Sequence, residues 1–128
     1  MKRLFLLAAA VFVTSAHGQS YPTKPVRIVL PFAAGGVADI VTRTVAQKMS
    51  VPLGQRVLVE NRPSAGGIVA AQAVKGATPD GYTLVLLSNG TAVSVSLFKS
   101  LPFDPIKDFS PISMMGTFDM LLVVPANS

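Results

Sequence analysis

The chain has 128 residues, half of them apolar, with a net charge of +5, one His and no Cys. Without thiols it forms no disulfide, no thiolate nucleophile and no Cys-ligated metal site. Beyond Lys2-Arg3, its Lys and Arg are scattered singly, with no basic run and no aromatic interleaving, a poor fit to nucleic-acid binding.

The N-terminus reads Met1-Lys2-Arg3, then ten apolar or small residues from Leu4 to Val13, then Thr14-Ser15-Ala16-His17-Gly18. A basic start, a short apolar run and small residues at 16 and 18 predict a secretory signal peptide over residues 1–18, cleaved after Gly18, with Ala16 the second choice. The run is far shorter than the roughly 20 residues a membrane span needs. Export is therefore expected. Removal of the signal also removes His17, so the mature chain (residues 19–128) has neither His nor Cys. Ser-His-Asp and Cys-His catalysis and His-ligated zinc are excluded with it. Lys2 and Arg3 go while no acid goes, and the net charge falls from +5 to +3.

Val26-Arg27-Ile28-Val29-Leu30 is a β-branched run that predicts a buried strand. The turn Pro31-Phe32-Ala33-Ala34-Gly35-Gly36 follows. Then Val37, Ile40, Val41, Thr44, Val45 and Met49 fall at helical spacing, up to Ser50–Gly54. A second strand is predicted over Arg56–Asn61, leading through Arg62-Pro63-Ser64-Ala65-Gly66-Gly67 into a helix over Ile68–Lys75, capped by Gly76. Thr78-Pro79-Asp80-Gly81 is a turn by composition. Tyr82–Leu87 is a third strand, ending in the polar loop Ser88-Asn89-Gly90-Thr91. A further strand is predicted at Met120–Val124.

The stretches "PFAAGGVA" and "PSAGGIVA" repeat one pattern: Pro, then Ala-Gly-Gly, then a helix opening with small and β-branched residues. The resulting β-α-β-α-β order demands an α/β fold with a mainly parallel sheet flanked by helices. The three post-strand turns then share the carboxyl edge of the sheet, where open α/β sheets bind ligands. Two glycine-rich helix starts side by side suit an anion, because a helix N-terminus offers unpaired N–H groups and a partial positive charge. Asp39, in the first helical turn, is placed to bond back to loop N–H groups. Neither turn has the spacing of a phosphate loop or a dinucleotide fingerprint. Arg62 either pairs with a ligand carboxylate or braces the loop. Phe32 either walls the site or joins the core.

Four blocks in order, "YPTKPVRIVLPFAAGGVADIVTR", "GQRVLVENRPSAGG", "ATPDGYTLVLLSNGT" and "LPFDPIKDFSPIS", resemble the tripartite tricarboxylate transporter receptors, also called the Bug family of periplasmic solute-binding proteins. The resemblance implies a type II periplasmic-binding-protein fold of two α/β lobes with a cleft between them. It implies a receptor that binds a small carboxylate and delivers it to the membrane permease subunits of a tripartite transporter, driven by an ion gradient, without catalysis, metal or cofactor. Carried over by position, the ligand-binding residues are Phe32, Ala33, Gly35, Gly36 and Asp39 in the first turn. Ala65 and Gly66 follow in the second, and Ser88, Asn89 and Thr91 in the third. Ala34, Val37-Ala38 and Ser64 depart from the family's usual residues. The family's length implies that residues 19–128 are most of an N-terminal lobe, with the second lobe absent from this chain. Two other readings stand beside this one: a hydrolase or transferase resting on Asp39, and an interaction module or relic half-receptor that binds no ligand.

Overall fold

The computed structural model describes residues 20–118 and 123–126. The expected signal peptide and most of the expected strand at Met120–Val124 lie outside them. Val123 and Val124 are described, exposed and in no regular element.

Three strands, β1 (Val26–Leu30), β2 (Val57–Asn61) and β3 (Thr83–Val85), form one parallel sheet in the order β2-β1-β3. β1 is the central strand, and four of its five residues are buried. That explains why it lacks the alternation of a half-exposed strand. Ile28 pairs with Val59 on one side and Leu84 on the other. The core gathers Val26, Ile28, Leu30, Ala46 and Val57, with Met49, Leu53, Tyr82, Leu84 and Leu86 packed around it. β3 is shorter than the Tyr82–Leu87 expected. The pairing continues past its ends through single bonds, from Arg27 N–H to Tyr82 C=O (2.8 Å) and from Leu86 N–H to Val29 C=O (3.0 Å).

Helix α1 (Val37–Leu53) follows β1, and α2 (Ile68–Lys75) follows β2 after a single 3₁₀ turn at Ala65–Gly67. α1 runs through Pro52 and stops at Gly54, whose left-handed φ of 61° closes it. Its buried side chains are Asp39, Thr42 and Ala46, while Val37, Ile40 and Val41 face outward. The helical spacing of apolar residues thus marks the helix but not its buried face.

The third turn departs most from expectation. Asn89–Leu97 is a helix, α3, so Asn89 and Thr91 occupy its first turn and Ser88 caps it. The alternating Val93-Ser94-Val95-Ser96 and the glycine at 90 hide it, since alternation is a strand signal and Gly lowers helix propensity.

Candidate functional site

With the order β2-β1-β3, the chain leaves the central strand towards one side and then crosses to the other. The crevice at such a reversal lies outside the carboxyl ends of the strands. The turns after β1, β2 and β3 meet there. Gly66 and Gly67 carry φ of 62° and 72°, values that glycine tolerates and a Cβ opposes. A Cβ on Gly67 would stand 3.0 Å from Pro31 Cβ and 3.2 Å from Thr91 Oγ1. One on Gly66 would run into the Ser94 hydroxyl. Ser94, fully buried, donates to Gly90 C=O (2.8 Å) and lies 3.4 Å from Gly66 C=O. The second turn is thus wedged between the first and third, and its two glycines are what allow that approach.

The first turn is held from below. Asp39 is 4% exposed, and its carboxylate accepts from Gly35 N–H (2.9 Å), from Arg43 Nε on both oxygens (3.0 Å each) and from Asn61 Nδ2 (2.9 Å). Asn61 Nδ2 also donates to Phe32 C=O (3.0 Å), and its own carbonyl oxygen accepts from an Arg43 terminal nitrogen (2.8 Å). The Arg43 bond first, then those from Gly35 and Asn61, hold the Asp39 carboxyl far below the ordinary carboxylate range. The expected bond from Asp39 back to the loop is present, at Gly35.

The three helix starts differ in what they leave open. At α3 the Asn89 side chain takes Gly90 N–H (2.9 Å), Ser88 C=O takes Thr91 and Ala92 N–H, and Thr91 Oγ1 lies 3.5 Å from Ser88 N–H. At α2, Ser64 takes Val69 N–H on its hydroxyl (3.1 Å) and Gly67 N–H on its carbonyl (3.1 Å). At α1 the first helical bond is from Ile40 N–H to Gly36 C=O (3.0 Å), and Asp39 takes only Gly35 N–H. Among the described residues, the N–H groups of Gly36, Val37 and Ala38 have no acceptor in the protein. These are the orphan donors of a helix end, left to solvent or to a ligand.

Of the residues singled out from sequence, Ala33, Gly35, Gly36, Ala65 and Asn89 are exposed on this edge. Phe32, Gly66 and Ser88 are half-buried, and Asp39 and Thr91 are buried. Arg62 braces rather than projects. Its Nε meets the Glu60 carboxylate at 2.6 Å, with Arg27 on the other oxygen at 3.2 Å. Arg43, Asn61 and Ser94 escaped the sequence reading. For Arg43 the signal was available, since a carboxylate four residues before it on a helix invites an ion pair. Away from the turn edge, a groove of about 450 Å³ lies between α1 and β2 beside Gln47 and Arg56. Among the described residues no group of three or more His, Cys, Asp or Glu is placed to hold a metal ion.

Residues 41–128 match the family model described as tripartite tricarboxylate transporter family receptor. The chain belongs to this family. The chain is 41% identical over its whole length to a UPF0065 protein of Bordetella pertussis, of which it covers 41%. It resembles the solved periplasmic binding protein BugD with 43% identity and a TM-score of 0.68, over 72% of this chain and 31% of that one. It resembles MatC from Rhodopseudomonas palustris, solved with bound malate, with 42% identity and a TM-score of 0.70, over 74% of this chain and 33% of that one. The chain spans between 34% and 41% of the length of the curated relatives it matches. Its three-stranded parallel sheet and flanking helices therefore correspond to part of a periplasmic binding protein. A receptor family binds without transforming. Asp39, with three donor groups making four bonds, has no unpaired oxygen to serve as a general base.

Proposed function

We propose that this chain carries one wall of an extracytoplasmic receptor for a small carboxylate-bearing metabolite, which it passes to the permease subunits of a tripartite transporter. On this reading residues 1–18 direct export and residues 19–128 form the N-terminal lobe. The observation that carries it is the row of unpaired N–H groups at Gly36, Val37 and Ala38, on the sheet edge where the three turns meet. A carboxylate there meets the positive end of α1 and two or three converging donors. Ala33, Gly35, Ala65 and Gly66 shape the rim, and Phe32 walls it. Ser88, Asn89 and Thr91 fix the far side, mostly by satisfying their own helix. Asp39 acts from beneath, as the brace of the turn. Family membership and the malate in the MatC structure point to the same ligand class.

One wall binds weakly. A helix end contributes on the order of 0.3–1 kcal/mol, and each hydrogen bond to a charged group roughly 1.5–3. Set against the cost of immobilising a ligand, this leaves about 4 kcal/mol, a dissociation constant near 1 mM. Titrating the exported chain with malate should therefore give fast-exchange NMR shifts that saturate only in the millimolar range. Saturation at micromolar malate, or no response at tens of millimolar, would overturn the proposal.

A further inference from the structure

We propose that Arg43 is a positioning residue of the anion site, and that its charge, delivered through Asp39, is what lets the first turn accept an anion. The inference rests on the proposed carboxylate site and adds to it a residue that need not touch the ligand. Asp39 sits two residues beyond Val37 and next to Ala38, so its carboxylate lies within the same helical turn as the unpaired N–H groups. An uncompensated carboxylate there would repel a second one bound on the same helical turn.

The structure cancels that charge in one way. Arg43 Nε contacts both Asp39 oxygens at 3.0 Å, and one of its terminal nitrogens reaches Asn61 at 2.8 Å. Asn61 returns a bond to Asp39 and another to Phe32 C=O, which closes the ring beneath the turn. Lys24, Lys75 and Lys107 pair with Asp80, Asp108 and Asp104, and Arg27 and Arg62 pair with Glu60. Among the described residues, Arg43 is the only cation paired with Asp39.

Two roles are separable. If Arg43 only stiffens the turn, removing Asp39 as well should do further harm. If Arg43 neutralises Asp39, removing both charges should repair the damage. The experiment is a malate titration followed by amide NMR on the exported chain and its Arg43→Gln, Asp39→Asn and Arg43→Gln/Asp39→Asn variants. Arg43→Gln is expected to weaken malate binding by about tenfold, the scale of one like-charge contact in a protein environment. The double variant is expected to return to within about threefold of the parent, on the same charge balance. Arg43→Lys, which keeps the charge without the fork, should fall between them.

A double variant as weak as Arg43→Gln, or weaker, would overturn the inference, as would parental affinity in Arg43→Gln. If Arg43→Gln does not fold, the double variant alone decides by the same threefold criterion. If the parent chain shows no malate shift at Gly36–Ala38, the proposed site falls, and this inference falls with it.

Discussion

Gly36 and Gly66 stand in neighbouring turns, yet a side chain should harm them in different ways. Gly36 has φ of −77° and ψ of 168°, open to any residue, and a Cβ there would meet only Ala33 C=O at 3.8 Å. Gly36→Val should therefore leave the fold intact, with a stability change under about 1 kcal/mol, the ordinary spread of helix-cap exchanges. It should nonetheless abolish the malate response, because branched methyl groups would stand over the N–H row. Urea unfolding checks the first half and the malate titration the second. Gly66 is left-handed, with a Cβ that would strike Ser94. Gly66→Ala should cost about 1–3 kcal/mol from backbone strain and crowding together. A urea midpoint equal to the parent's would contradict the wedged arrangement of the turns.

At the scale of elements, ion pairs tie the segments together and set the response to acid. Asp39 is held low chiefly by Arg43, Glu60 by Arg62, and Asp108 by Lys75. Each carboxylate is a stronger acid folded than unfolded, so its contribution is complete above its unfolded pKa of about 4 and disappears as pH falls through its folded value. Stability should be flat from about pH 7 to 5 and decline below about pH 4. Asp39→Asn should flatten that decline more than removing any other acid, a comparison that urea midpoints between pH 3 and 7 would settle. How much of this was legible in the sequence depends on the element. β1 and α2 appear with the bounds expected, because a β-branched run and a Gly-flanked small-residue helix are strong local signals. α3 was hidden, since Ser94 and Thr91 are polar residues buried for tertiary reasons that periodicity does not record. α1 was expected, but its buried face was not, because Asp39 and Thr42 go inward to bond the turn and the Ala38 carbonyl. The anchoring of Asp39 to its loop could be read from spacing. Its bond to Asn61, across 22 residues, could not.

Over the whole molecule, apolar side chains crowd the surface from α3 onward. Leu97, Ile106, Ile112, Met114 and Phe118 are each at least 70% exposed. Exposed apolar side chains in that number promote association or dye binding where they adjoin. Sedimentation of the exported chain should show an average mass that rises with concentration, accompanied by fluorescence of a hydrophobic probe. A monodisperse monomer that binds no probe would mean that this surface is covered in solution. The same scale explains the weak binding expected here. Among the described residues the turn edge is a single open wall, and a site that buries most of its ligand needs walls on both sides.

The most direct measurement is a residue-by-residue map of amide shifts as malate is added to the exported chain. The largest shifts should fall on Gly36, Val37 and Ala38, with smaller ones at Ala65 and Gly66 and the least at Gly90 and Thr91, whose N–H groups are already taken. Shifts centred on Gln47 and Arg56 in the groove between α1 and β2, or none at all, would contradict an anion site at the first turn.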